Sequence, residues 1–343
     1  MLNKNFKKIN MKSIIFSVDD RKEVFNRIKR NYSKWARFEN NLQFGDLNVS
    51  KFSDGELDAQ YKDSVRDKRV YILSTPSDSD AIMGLNLSID AAKRAGAKEV
   101  IVLLTYFAYG RSDRKGASRG AIGGKVFAEM LENRGADMVV TLDLHADQIQ
   151  GFFKIPVVQL DGRNLFAPVL ESIIKDQEKY VLIAPDAGAT KRVKKYRDLL
   201  RDLYNIDLPY AIIDKTRPRA NEIEDMVLIG DVNGKEAIII DDIIDTGGTL
   251  VKGVDLLLEN GATGVSGMIT HGVLSGKALE RLENSNIKTL ITTDSLPTTV
   301  SMNKIQRVTC ANIFSKAIYS YENGHSFSFL MSDYSNDNIK LFK

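Results

Sequence analysis

The sequence predicts a two-domain α/β protein built on mostly parallel sheets, and three observations carry that expectation. Apolar, β-branched runs of strand length alternate with helix-like segments along the chain. A short unit (a helix end, then Gly-Ala, then a strand) occurs in both halves, as "AAKRAGAKEVIVLLTY", "LENRGADMVVTLDLH" and "LLLENGATGVSGMITH". The 343 residues exceed one ordinary domain at about 100–200 residues each.

Taken in order, "RVYILST" (69–75) reads as a strand followed by a helical stretch to Ala95. "EVIVLLTY" (99–106) is the next strand, with a polar loop and a helix to Arg134 behind it. "DMVVTLDLH" (137–145) follows. The second half reads "YVLIAPDAG" (180–188), a basic helix, "DLPYAIIDK" (207–215), a loop, "EAIIIDDIID" (236–245), a helix, "GVSGMITHG" (264–272) and "TLITTD" (289–294). In the repeated unit the glycine suits the left-handed residue after a helix C-terminus, and the strand then returns to the sheet. The aromatics at 26–39, Trp35 among them, read as helix packing.

Composition excludes several classes. Forty-eight basic and 45 acidic residues leave a net charge of +3, which does not argue for nucleic acid. No apolar run reaches the ~18–20 residues of a membrane span, and "MLNKNFKKINMKSIIFSV" lacks the cleavage site of a secretory signal. The single cysteine, Cys310, fits a reducing cytoplasm and reads as a small buried hydrophobe. His271 reads as structural and His325 as solvated.

The stretch "AIIIDDIIDTGGTLVKG" (237–253) carries the most chemistry. Asp241 and Asp242 stand at the carboxyl end of a buried strand, where open α/β sheets place ligands. Asp245, Thr246, Gly247, Gly248 and Thr249 form the turn into the next helix. Its backbone N–H groups and the helix N-terminus suit a phosphate, and glycines let the anion approach closely. The loop is neither a Walker A sequence nor G-x-G-x-x-G. Acids beside an anion site need a partner that accepts carboxylates, and sugar hydroxyls and Mg²⁺ both qualify. A sugar phosphate reconciles the two ends of the stretch.

"IIIDDIIDTGGTL" resembles the phosphoribosyl pyrophosphate motif of type I phosphoribosyltransferases. "VVTLDLHADQIQGFF" (139–153) resembles the signature of the ribose-phosphate diphosphokinase (phosphoribosyl pyrophosphate synthetase) family. Four further stretches resemble that family in its order. "KFSDGELDAQ" (51–60) resembles its adenine-binding loop and implies ATP contacts by Phe52, Asp54 and Glu56, reaching across a subunit interface. "YFAYGRSDRKGASRG" (106–120) implies nucleotide contacts by Arg111, Ser112 and Asp113, with Arg114 and Lys115 able to clamp polyphosphate. "IAPDAGATKRVKKY" (183–196) resembles a metal loop and implies that Asp186, with His145 of the first signature, helps bind Mg²⁺; His145 is also implied in ATP binding. "IIDKTRPRANEIEDM" (212–226) resembles the catalytic flexible loop, with Lys215 and Arg217 in its basic positions. The chain departs from the family pattern at Ser112, in place of Gln, at Ala187, in place of His, and at Thr216, in place of a basic residue. "ENGHSFSFL" (322–330) resembles the family's C-terminal strand.

The resemblance implies two tandem type I phosphoribosyltransferase-like domains. Residues 13–165 form the ATP side and 166–320 the ribose 5-phosphate side, flanked by a basic extension (1–12) and a C-terminal segment (321–343). It implies the reaction ATP + ribose 5-phosphate → 5-phosphoribosyl 1-diphosphate + AMP, with Mg²⁺, in a cytoplasmic homo-oligomer of dimer or hexamer type. The alternatives are a salvage phosphoribosyltransferase, which shares only 237–253, and an inactive regulatory partner of the synthetase.

Overall fold

The computed structural model describes residues 11–18, 21–35, 42–216, 225–297 and 301–327. The chain divides into two units. One runs to Leu160 and takes in Phe314–Tyr319; the other begins at Asp161. The sequence-based boundary at 165/166 falls inside a helix, Arg163–Ile173. Asp161 explains the earlier division: its carboxylate receives the Arg163 guanidinium, and Arg163 Nη1 also donates to the Lys195 carbonyl at 2.8 Å, within the second unit.

The first unit contains β1 (Ser13–Ser17), α1 (Lys22–Trp35), β2 (Leu42–Phe44), β3 (Leu47–Lys51), β4 (Leu57–Tyr61), β5 (Arg69–Ser74), α2 (Ser79–Arg94), β6 (Glu99–Leu104), α3 (Gly123–Arg134), β7 (Met138–Leu142) and β8 (Val157–Leu160). Six strands make one sheet in the order β2-β1-β5-β6-β7-β8, every pairing parallel. β3 and β4 form a separate antiparallel hairpin. Phe16, Ile72, Val102, Phe127 and Leu131 are fully buried in this unit's core.

The second unit contains α4 (Arg163–Ile173), β9 (Tyr180–Ala184), α5 (Thr190–Tyr204), β10 (Tyr210–Thr216), β11 (Asp225–Ile229), β12 (Glu236–Ile244), α6 (Gly248–Glu259), β13 (Gly264–Gly272), α7 (Ala278–Glu283), β14 (Thr289–Thr293), β15 (Ile305–Val308) and the two ends of α8 (Ala311–Asn323), whose middle belongs to the first unit. Its seven strands run β11-β10-β9-β12-β13-β14-β15, parallel except for the β10–β11 pair at one edge. Ile183, Ile239, Val254, Leu257 and Ile269 lie in its core.

The repeated Gly-Ala unit has one geometry in all three copies. Gly96, Gly135 and Gly261 take φ of 86°, 103° and 89°. The alanine after each donates its N–H five residues back, Ala97 to Ala92, Ala136 to Leu131 and Ala262 to Leu257, at 3.0–3.1 Å. This closes the helix carbonyls and turns the chain into the next strand. Two further sequence expectations change. The loop between 215 and 236 contains strand β11. Glu322 and Asn323, assigned to a terminal strand, belong to α8, which ends where Gly324 takes φ 66°; the rest of that stretch beyond Phe327 lies outside the described residues.

The helix α3 anchors on Phe127, which packs edge-on to Phe107 at 5.1 Å between ring centroids. Phe127→Ala is expected to cost about 3–5 kcal/mol. A fall in denaturant midpoint with an unchanged slope would be the measured result.

Candidate active site

The site in the second unit is built on the end of β12. Ile238, Ile239 and Ile240 are buried between the parallel neighbours β9 and β13. The strand then presents Asp241 and Asp242, and burial reaches Asp242, only 3% exposed. Arg192, in the first turns of α5, answers both. Its Nη1 donates to Asp241 Oδ1 at 2.9 Å and to Asp242 Oδ1 at 2.8 Å. The Asp242 N–H adds a bond to Asp241 Oδ1 at 2.9 Å. One guanidinium thus serves two carboxyl groups. Burial, then the neighbouring Asp242 charge, pushes the Asp241 carboxyl well above the usual range, with Arg192 opposing. A quarter of the Asp241 side chain still meets solvent, which softens the penalty.

The loop that follows is shaped for an anion. Gly247 sits at the N-cap of α6 with φ 74°, a left-handed conformation that favours glycine, and no side chain caps this helix. The first-turn N–H groups are therefore left for a ligand. Behind the loop, the Ser275 hydroxyl donates to Asp245 Oδ1, and the Ser275 N–H donates to the Asp245 carbonyl at 3.1 Å. Arg281 on α7 donates to the Thr246 carbonyl at 2.7 Å. Asp241, Asp242, Asp245, Thr246, Gly247, Gly248 and Thr249 thus share one strand end and the turn leaving it.

Asp186 lies in the turn between β9 and α5, where its Oδ1 accepts from the Ala189 N–H at 2.9 Å. Lys215 lies on β10, its backbone opposite Met226 of β11. Arg217 lies outside the described residues, so the catalytic loop assigned to the pair is described only at its two strands.

In the first unit the sequence-predicted residues fall into two groups. Phe52, Asp54 and Glu56 make the turn of the β3–β4 hairpin, closed by Phe52 N–H to the Glu56 carbonyl at 2.7 Å and by Glu56 N–H to Asp54 Oδ1 at 3.0 Å. Phe52 is 56% exposed at the tip. The second group joins the loop after β6 to the segment after β7. A side chain on Gly110 would come within 3.7 Å of His145 Cβ, so the Arg111 loop and His145 are neighbours. Gln148 Nε2 donates to Asp113 Oδ2 at 2.9 Å. Asp143, just before His145, takes φ 32°, a strained value for a non-glycine residue. The Ser112 hydroxyl faces inward, accepting from the Gly123 N–H at 2.9 Å. His271 is buried and bonded to the Ser295 hydroxyl at 2.8 Å, and Cys310 is buried; His325 is exposed.

Sequence reading missed Arg192, Arg281 and Gln148. Arg192 had a partial signal in the basic run "TKRVKKY", but nothing in the run marks which cation turns toward the acids.

Mg²⁺ is tested by the donor set. Among the described residues no three His, Cys, Asp or Glu side chains gather into a ready-made cage. Mg²⁺ is commonly held by one or two carboxylates with water and substrate phosphates completing its shell. The oxygen donors of Asp186 and of the Asp241–Asp242 pair fit that pattern.

A family model described as the N-terminal domain of ribose phosphate pyrophosphokinase matches residues 13–135. A second, described as a phosphoribosyl synthetase-associated domain, matches residues 207–332. The ribose-phosphate pyrophosphokinase of Bacillus subtilis is 42% identical over 295 residues, 85% of this chain and 90% of that relative. That of Corynebacterium ammoniagenes is 40% identical over 322 residues, 93% and 96% of the two chains. The chain belongs to the ribose-phosphate pyrophosphokinase family. The crystal structure of phosphoribosylpyrophosphate synthetase from Mycobacterium smegmatis superposes with a TM-score of 0.80 at 30% identity, covering 91% of this chain and 99% of that one. The family's two-domain α/β architecture is thus shared over nearly the whole chain. Among the described residues no helix is long and apolar enough to cross a membrane.

The acid pair has a consequence for stability. Burial and the neighbouring Asp242 charge hold the Asp241 carboxyl above its value in the unfolded chain. Over the pH range between the two values the folded state holds a proton that the unfolded state has released, so the group's stabilising share is lost as pH rises through that range. Asp241→Asn is therefore expected to raise the melting temperature of the ligand-free protein by a few degrees at pH 8, on the order of 1 kcal/mol. At pH 4 the two proteins should melt alike; an equal gap at both pH values would contradict the charge argument.

Proposed function

We propose that this chain transfers the diphosphoryl group of ATP to the C1 hydroxyl of ribose 5-phosphate, giving 5-phosphoribosyl 1-diphosphate and AMP. The observation that carries this reading is the juxtaposition on β12. An acid pair served by a single arginine stands a few residues before an uncapped, glycine-started helix. A ligand with hydroxyls at one end and a phosphate at the other satisfies both. Family membership and the ATP-side motifs of the first unit favour the synthetase over a salvage phosphoribosyltransferase, whose likeness is confined to 237–253. The presence of Lys215, Asp241, Asp242 and Asp245 favours an active enzyme over an inactive partner.

In this reading the amides of residues 247–249 and the hydroxyls of Thr246 and Thr249 hold the 5-phosphate, with Asp245 ordering the loop. Asp241 and Asp242 accept from the ribose hydroxyls, and Arg192 keeps the two carboxylates in register while they do so. Phe52 stacks on the adenine, Asp54 and Glu56 accept from its amino group or from sugar hydroxyls, and Arg111, Asp113, Ser112 and His145 hold the rest of ATP. Asp186 and His145 are the residues assigned to Mg²⁺, which when bound supplies charge neutralisation on the phosphates and substrate alignment. The C1 oxygen forms a bond to the β-phosphorus and loses its proton, the bond from that phosphorus to the α,β-bridging oxygen breaks, and AMP leaves. Such transfer rests on positioning and charge stabilisation, the role given to Lys215 and Arg217. The exposed Phe52 hairpin supports a homo-oligomer in which that tip serves a neighbouring copy.

A phosphorus NMR time course with ATP, Mg²⁺ and ribose 5-phosphate tests the reaction. A 1-diphosphate sugar signal with matching AMP is expected, whereas ADP would indicate a γ-phosphoryl kinase instead. Lys215→Ala is expected to lower turnover by about 10²–10³-fold while ribose 5-phosphate binding, measured by calorimetry, stays within about twofold. Equal loss of both would remove Lys215 from the transition-state role.

A further inference from the structure

The segment behind the phosphate loop grips it residue by residue. Ser275 bonds Asp245 through both its hydroxyl and its N–H. Ala278, the first residue of α7, packs under Gly247, where an added Cβ would lie 3.7 Å from the Ala278 Cα and carbonyl oxygen. Arg281, one turn further, donates Nη1 to the Thr246 carbonyl at 2.7 Å. The same Nη1 would lie 3.6 Å from a Cβ on Gly248. The chain reaches this arrangement through Leu274, which takes φ 52°, a conformation unfavourable for a leucine. At its other end α7 is fixed by Lys304, whose ammonium donates to the carbonyls of Leu282, Glu283 and Ser285 at 3.2, 2.7 and 2.7 Å.

We infer that Arg281 is a positioning residue for the 5-phosphate, acting through the Thr246 carbonyl. The inference rests on the reading of 245–249 as the phosphate loop. Its physical content is orientation. A loop that presents N–H groups to an anion must keep its carbonyl oxygens turned away, because a carbonyl facing a phosphate repels it. Thr246 is the residue before the left-handed Gly247, and a flip of the peptide joining them would carry the Thr246 oxygen toward the ligand and the Gly247 N–H away from it. The Arg281 bond holds that peptide in the binding orientation and places a positive charge on the outer side of the loop. Charge-assisted bonds of this type are the stronger ones. The guanidinium bonds the phosphate loop, while the acid pair is served by Arg192, so its loss should fall on recognition of the phosphate.

The test compares Arg281→Met, Arg281→Lys and Thr249→Ala with the unaltered full-length enzyme. Steady-state kinetics would be run against ribose 5-phosphate and against ATP, with melting temperatures alongside. Arg281→Met is expected to raise KM for ribose 5-phosphate about tenfold, the equivalent of one charge-assisted bond. KM for ATP and kcat at saturating ribose 5-phosphate should stay within about twofold. Arg281→Lys, which keeps a cationic donor, should recover most of the loss. An unchanged KM for ribose 5-phosphate in Arg281→Met, or equal shifts in both KM values, would overturn the inference. So would a failure of lysine to restore binding when both variants melt like the parent. If Arg281→Met does not fold, Arg281→Lys and Arg281→Gln decide by the same KM split. Thr249→Ala separates the two levels: if it raises the ribose 5-phosphate KM while Arg281→Met does not, the loop reading stands and the role of Arg281 falls. If neither does, the loop reading fails and takes this inference with it.

Discussion

One guanidinium shared by two carboxylates at the end of a buried strand sets the terms for the second unit. Arg192 reaches Asp241 and Asp242 only because α5 begins just after β9, the strand paired with β12. That start is itself held by Asp186, which accepts the Ala189 N–H ahead of the helix. The acids are thus held by protein contacts alone, one cation between the two of them. A fully neutralised pair would have little reason to bind hydroxyls or a cation. A pair with no arginine would take up a proton more readily still. The arrangement lies between these, with one cation for two carboxyl groups.

The arrangement sets stability against function. Burying Asp242 and most of Asp241 beside a single cation costs free energy in the empty protein, and the surrounding strand supplies the compensation. Ile238–Ile240 and their neighbours on β9 and β13 are almost entirely dry. Both acids meet the same guanidinium nitrogen, and Asp241 gains a second donor in the Asp242 N–H, which turns back onto its carboxyl group.

Much of the sheet framework and of the β12 loop was legible in the sequence, because their signals are local. The Gly-Ala returns were readable since a left-handed glycine followed by a buried alanine is a short-range pattern, and all three copies fold alike. The acids and glycines of 241–249 were readable for the same reason. Arg192 and Arg281 were not, because each acts across the chain, 50 residues from Asp242 and 35 from Thr246. The basic helix α5 offers several cations, and only its packing chooses one; α7 has a single arginine, and nothing in its local sequence marks Thr246 as the partner. β2 has three residues, too short for a periodic signal. β11 is an edge strand with Val227 and Ile229 facing solvent, so its pattern did not stand out from the loop around it. The terminal strand was misread at its start because α8 continues to Asn323 before Gly324 ends it.

The two units use their strand-to-helix turns differently, and this decides how each can hold phosphate. In the second unit α6 starts on a glycine with no capping side chain, so backbone N–H groups and the helix dipole are offered to an anion. In the first unit the corresponding donors of α3 are already engaged: Ser112 accepts the Gly123 N–H through its hydroxyl and the Gly124 N–H through its carbonyl. A helix start that is capped has little left for a phosphate. An anion meeting the first unit would find its donors among side-chain cations, and Arg111, Arg114 and Lys115 are exposed on the loop before α3. Backbone amides fit one phosphate group in one orientation, as a monophosphate ester requires. Long cationic side chains adapt to a chain of phosphates whose geometry changes as one of its bonds breaks. The capped helix and the uncapped one thus differ in what backbone they leave for an anion, and at residue 112 the hydroxyl and the carbonyl share the capping of α3.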